Sequence, residues 1–199
     1  MLVLSRFVFL VPVLFGALAL AACTTPPPQN PFPDITFKHL SPIQLDVREI
    51  SVEDDYKAPG VPPNVDHLFP VRPAAAAIAW GQDRLTAAGA GRRLRYIVRD
   101  ASATETVLKT EKTLTGVLTV DQSERYAIRI AVELQIIEDD GRTVGSLTAH
   151  VERSVTVPED SKLGEREKVW FKLVEDSMRE LDAQLEKTIK SVFFQYVVL

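Results

Sequence analysis

Tyr126-Ala-Ile-Arg-Ile-Ala-Val-Glu-Leu-Gln-Ile136 decides the fold. Tyr126, Ile128, Ile130, Val132, Leu134 and Ile136 recur at every second position, which puts one row of apolar side chains on one face of a strand. Asp139-Asp140-Gly141 follows as a turn signal. Leu147, Ala149, Val151, Val155 and Val157 then supply the returning strand, so a long antiparallel hairpin is expected from about residue 125 to residue 157.

Downstream, Pro158-Glu159-Asp160-Ser161 places acids where a helix begins. Trp170, Val174, Met178, Leu181, Leu185, Ile189 and Val192 follow with gaps of 4, 4, 3, 4, 4 and 3, close to a straight helix's period. Glu175, Arg179, Asp182, Glu186 and Lys190 mark the opposite, charged face. The apolar stripe suits packing on a sheet, with a coiled-coil or oligomer seam as the alternative. A helix from Leu163 to about Val192 spans roughly 45 Å. Phe193, Phe194, Tyr196, Val197, Val198 and Leu199 form an apolar tail that closes the core or meets a partner.

Upstream, Ile43, Leu45 and Val47 alternate, and Ile50 and Val52 continue out of phase, which reads as one strand with a bulge. Asp54 to Pro73 is a long proline-rich loop, a kind of segment that is often functional. Its apolar residues Val61, Leu68 and Phe69 are candidates for a partner contact. Pro73 suits a helix start, Ala74 to Ala88 reads as helix, and Gly89 reads as its stop. Trp80 is expected in the core. Leu94, Tyr96 and Val98 suggest another strand, and residues 101–125 have no clear period. The reading is one α+β domain over residues 36–199. It comprises an antiparallel sheet of about four strands, with a short helix and a long C-terminal amphipathic helix packed on one face.

The amino terminus has a different character. Of residues 1–22, 18 are apolar, and the one charge, Arg6, precedes the run. The run is short for a membrane span and suits a signal peptide. It ends in Leu20-Ala21-Ala22-Cys23, which matches the lipobox of bacterial lipoproteins, with cleavage before Cys23 and a diacylglycerol on its sulfur. Cys23 is the only cysteine, so the chain has no internal disulfide. Residues 23–35 are then the lipidated cysteine and a tether. Thr24 to Asp34 holds five prolines in eleven residues, a composition that favours extended polyproline II. Losing residues 1–22 leaves 177 of 199 residues and, with Arg6 gone, moves the net charge from −4 to −5. That balance argues against non-specific nucleic-acid binding.

Catalytic motifs are wanting. His39 and His67 fall in loops and His150 on an outward strand position, none at ligand spacing, so no metal site is expected. Gly89-Ala90-Gly91 before Arg92 and Arg93 has the look of a phosphate loop but follows a helix instead of a strand. Asp54-Asp55 and Asp139-Asp140 sit in turns, where acids are common. No catalytic residue is named, and the acyl lipid on Cys23 is the one expected non-protein group. Arg84, Arg92, Arg93, Arg95 and Arg99 form a local positive run, either a contact for an acidic partner or lipid phosphate, or a solvated strand face.

The order of features resembles the auxiliary lipoproteins of ABC-type envelope transport systems that accompany MCE-type lipid machinery. The points of contact are the strand Ile43–Val52, the loop to Pro73, the helix around Trp80 to Leu85, and Tyr126–Ile136 with its partner strand. The resemblance implies a non-enzymatic accessory protein with a protein partner, a possible lipid ligand and a periplasm-facing position. The hairpin and terminal helix are also similar to lipopolysaccharide-assembly lipoproteins, which implies an outer-membrane assembly factor, although those have no such long proline loop. A structural envelope lipoprotein and an enzyme acting on envelope substrates are the remaining alternatives. Thr24, where an aspartate would signal inner-membrane retention, suggests the outer membrane.

Overall fold

The computed structural model describes residues 31–108, 122–158 and 160–198. The expected signal segment, Cys23 and the expected tether to residue 30 lie outside the described residues, as do Leu114, Val117, Leu118, Val120 and Leu199. In chain order the elements are β1 (Ile43–Leu45), β2 (Glu49–Asp54), a 3-10 turn (Asp66–Leu68), α1 (Pro73–Arg84), β3 (Leu85–Ala87), β4 (Arg93–Val107), β5 (Gln122–Ile137), β6 (Thr143–Pro158), α2 (Leu163–Val192) and a second 3-10 turn (Phe194–Tyr196).

The expected hairpin is β5 with β6, antiparallel and closed by the turn at Asp139–Gly141. The Gly141 N–H donates to the Glu138 carbonyl at 3.0 Å, and the Arg142 N–H to Asp140 Oδ1 at 2.9 Å. The whole inward row from Tyr126 to Ile136 is no more than 1% exposed. On its other side β5 pairs antiparallel with β4, giving a four-stranded sheet in the order β2-β4-β5-β6. The α+β architecture is as expected, with one refinement: β2 runs parallel to β4. The chain leaves β2 through the proline loop and returns along α1, and a crossover of this kind delivers parallel strands.

Two element boundaries differ from the sequence reading. The strand expected over Ile43–Val52 is two strands in two sheets, since β1 pairs with β3 and β2 with β4. The Val47 N–H donates to the Leu45 carbonyl at 2.8 Å, a three-residue turn that redirects the chain between sheets. The phase change read as a bulge is therefore a change of sheet. The helix expected to Ala88 ends at Arg84, and Leu85–Ala87 becomes β3. Gly89 is not its stop. A Cβ at Gly89 would stand 2.6 Å from the Asp46 carbonyl carbon and 2.7 Å from the Val47 nitrogen, so only glycine allows this approach of two backbones.

The proline loop extends the sheet. Beyond β2, the edge of β4 is met by the Asp55 N–H on the Val98 carbonyl (3.1 Å), the Val65 N–H on the Ala103 carbonyl (2.8 Å) and the Pro63 carbonyl on the Glu105 N–H (2.9 Å). Val61 and Leu68 stay exposed, whereas Phe69 is buried and stacks on Trp170 at 5.2 Å. Phe69 is thus a core residue and leaves the set of partner contacts.

Both helices cover one face of the sheet. Tyr96 and Tyr126 share that face through the pairing of β4 with β5; Tyr96 stacks on Trp80 of α1 at 5.5 Å and Tyr126 meets Trp170 of α2 edge-on at 5.1 Å. Gly81 makes room for the first contact, because a Cβ there would meet the Tyr96 ring at 2.8 Å. The α2 stripe from Trp170 to Ile189 is buried on the sheet, and only Val192 of the expected set is exposed. The carboxyl-terminal tail divides. Phe193 and Tyr196 are buried, the Asp46 N–H donates to the Tyr196 carbonyl at 2.7 Å, and Phe194 stays 71% exposed.

The helices meet at Arg84. Its Nε donates to Asp182 Oδ1 at 2.9 Å, its Nη2 to Glu186 Oε2 at 2.6 Å, and its Nη1 to the Ser41 carbonyl. Asp182 Oδ1 also accepts the Trp80 indole N–H at 2.8 Å. Arg84 is 2% exposed. Replacing it with Met leaves Asp182 without its cation in a half-buried site, and such a loss costs about 3 kcal/mol. Urea unfolding should show that loss in Arg84→Met, and Asp182→Asn in the same chain should recover part of it.

Candidate functional site

The five arginines that run together in the sequence separate in space. Arg84 is the buried clamp just described. Arg92 has a left-handed backbone (φ 59°), donates from Nε to Glu138 Oε1 at 3.0 Å, and holds its guanidinium 5.3 Å from the centre of the Tyr196 ring. Arg93 and Arg95 lie on the outer face of β4, and Arg99 is the residue at its bulge. Arg95 is held by both carboxylate oxygens of Glu53; Arg99 pairs with Asp55 and, at 2.9 Å, with Glu133. Among the described residues, Arg93 is the member of the five in no ion pair, with Glu49 opposite it in register.

The outer sheet face is therefore a lattice of opposite charges. Hydrogen bonding from Arg95, helped by the Ser51 hydroxyl and working against burial, holds Glu53 down at about 2. Glu133 is lowered by the Gln135 amide and, against burial, by Arg99. Beneath them Ile97 points outward yet is fully buried, flanked in register by Glu53 and Glu133. The apolar stems of the charged chains cover it.

A different feature has the form of a binding site. A cleft of about 510 Å³ lies between β6 and the first half of α2. Arg153, Ser154 and Val155 line it from β6. Adjacent strand residues point to opposite faces, so three in succession can line one cleft only at the strand's edge. From α2 come Lys168, Lys172 and Asp176 in one helical row, with Val169 and Leu173 in the next. Val155, Val169 and Leu173 form an apolar floor, and three cations face one carboxylate at the rim. Lys172 Nζ donates to Asp176 Oδ1 at 3.0 Å, and Arg153 Nη1 to Glu180 Oε2 at 2.7 Å. Burial pushes Asp176 up, but Lys172, Arg179 and Arg153 together hold it below its usual range.

The sequence reading did not find this cleft. Its signal was one residue: the helix-facing row of β6 reads Leu147, Ala149, Val151, Arg153, Val155, Val157, a cation in an apolar series. Arg153 stands opposite Ile128, whose side chain faces the helices. A second hollow, about 500 Å³, lies between residues 33–40 and the outer side of α2 at Phe171, Glu175 and Arg179. Phe32 stacks on Phe171 at 5.3 Å, so the folded unit receives its amino-terminal segment against the first half of α2. His39, His67 and His150 are exposed, and among the described residues no helix is long and apolar enough to cross a membrane.

No family model and no curated protein matches the sequence. Among solved structures, a minor lipoprotein from Acinetobacter baumannii is similar at 14% identity and a TM-score of 0.40, covering 74% of this chain and 93% of that one. The rare lipoprotein B from Shewanella oneidensis is similar at 13% identity and a TM-score of 0.36, covering 72% of this chain and 96% of that one. Likenesses this loose do not carry function from one chain to another.

The outer-face lattice has a pH signature. A carboxylate lowered in the folded state stabilises above its ordinary value and loses that contribution as pH falls through the lowered one. For Glu53 the window runs from 4.5 down to about 2. Glu53→Gln should be less stable than the parent above that window and converge with it at its lower end, as followed by thermal unfolding across the acid range.

Proposed function

We propose that this chain is a non-enzymatic, lipid-anchored lipoprotein of the bacterial cell envelope, an accessory component of an ABC-type, MCE-like lipid transport system. The observation that carries the reading is Leu20-Ala21-Ala22-Cys23 at the end of an apolar run, followed by a short proline-rich stretch before the folded unit that begins at Phe32. The eight residues 24–31 reach about 25 Å when extended at the polyproline rise. Such a tether holds the unit close to the bilayer that carries the lipid, facing the periplasm, and Thr24 favours the outer membrane.

A binding role is supported by the ion pairing of the surface. Glu53, Glu133, Asp176 and Glu186 are each held charged by a cation or hydrogen-bond donor. Candidate partner surfaces among the described residues include the cleft lined by Arg153, Lys168 and Lys172 and the exposed residues Val61, Leu68 and Phe194.

Two measurements test the reading. Cells given radiolabelled palmitate should label the parent chain and leave Cys23→Ala unlabelled and released from the membrane fraction; an unlabelled parent overturns the anchor. In-cell crosslinking should then recover a membrane-spanning transporter or an MCE-type protein, and recovery of an outer-membrane barrel instead would make the chain an assembly factor.

A further inference from the structure

The cleft between α2 and the β6 edge separates its chemistry by position, charge at the rim and hydrocarbon at the floor. Lys168 is exposed with no acid against it among the described residues, while Lys172 pairs with the half-buried Asp176 and Arg153 with the exposed Glu180. Arg153 occupies a helix-facing position where a buried aliphatic residue would complete the core row. Breaks of this kind in an otherwise consistent pattern tend to sit at functional positions. We propose that this cleft binds an anionic phospholipid, its phosphate held by Lys168, Lys172 and Arg153 and the start of an acyl chain lying on Val155, Val169 and Leu173. This rests on the lipid-transport reading above and names the ligand class of that role.

Two observations favour a lipid over a peptide strand added to the β6 edge. Strand addition is held by backbone hydrogen bonds and has no need of three cations gathered at one point. A cleft of about 510 Å³ is within the range that takes one ligand, and β6 presents it with three consecutive residues out of sixteen. Among the described residues Lys168 has no ion-pair partner and is the cation free to meet a phosphate, whereas Lys172 and Arg153 exchange Asp176 and Glu180 for it.

The test uses the full chain in cells, with Ser154 replaced by the photoreactive residue benzoylphenylalanine. Irradiation should yield a product heavier by one phospholipid, read by intact mass. A product crosslinked to a protein, or no product, overturns the proposal. The same replacement at Thr148, exposed on the same strand, should give no lipid product; equal labelling there means general membrane proximity and also overturns it. Lys168→Glu with Lys172→Glu should lower the Ser154 lipid product by at least about fivefold, the effect of one or two interfacial charges, with Tm unchanged. Lys168→Arg with Lys172→Arg should retain it.

Purified full chain in detergent, titrated with diheptanoylphosphatidylglycerol, should bind it at least about fivefold more tightly than diheptanoylphosphatidylcholine. Equal affinities overturn the charge assignment, and inorganic phosphate binding as tightly as the lipid overturns the acyl assignment. A chain that takes up palmitate on Cys23 but gives no lipid product at Ser154 keeps its anchor and loses this site. A chain that takes up no palmitate but binds phosphatidylglycerol keeps the site and loses the anchor.

Discussion

The arrangement of the two helices depends on where one guanidinium is buried. Arg84 at the end of α1 takes Asp182 and Glu186 of α2 and the Ser41 carbonyl of the amino-terminal segment, so one side chain ties three parts of the chain together. A buried cation is tolerated only when its donors are matched, and here all three nitrogens have acceptors. Asp182 in turn fixes Trp80, which stacks on Tyr96, whose hydroxyl donates to the Ala77 carbonyl at 3.0 Å. The clamp therefore sets the registry of α1 on the sheet as well as its angle to α2.

That clamp also shows what a sequence pattern conveys and what it omits. The strand Tyr126–Ile136 and the 30-residue α2 were legible because their apolar periods run unbroken. Asp182 and Glu186 were assigned to the charged outer face, since spacing along one helix gives a direction but not the neighbour waiting there. β4 was read only to Val98 because the bulge at Arg99 flips the alternation, and Ala101 and Ala103 carry on the inward row out of phase. β1 and β2 were merged because a three-residue turn looks like a bulge when only polarity is read.

The site was less legible than the fold for the same kind of reason. A run of arginines in sequence looked like a positive surface, yet β2 and β5 each bring carboxylates alongside β4 and neutralise most of it. Arg153 drew no notice as one cation in a long strand. Its meaning appears only when Lys168 and Lys172, from a separate element, are placed across from it.

The sheet's two edges are unequal. β2 offers six residues bearing Glu49, Glu53 and Asp54, and the proline loop occupies the rest of that side, while β6 runs for sixteen residues with no strand beyond it among the described residues. Short, charged edges resist pairing with another chain. A copy of this protein therefore has one long side to which a second copy could add, and two copies meeting through that side use it up on both. Self-association by this route closes at a symmetric pair, because among the described residues the sheet has no second long edge from which a fibre could grow.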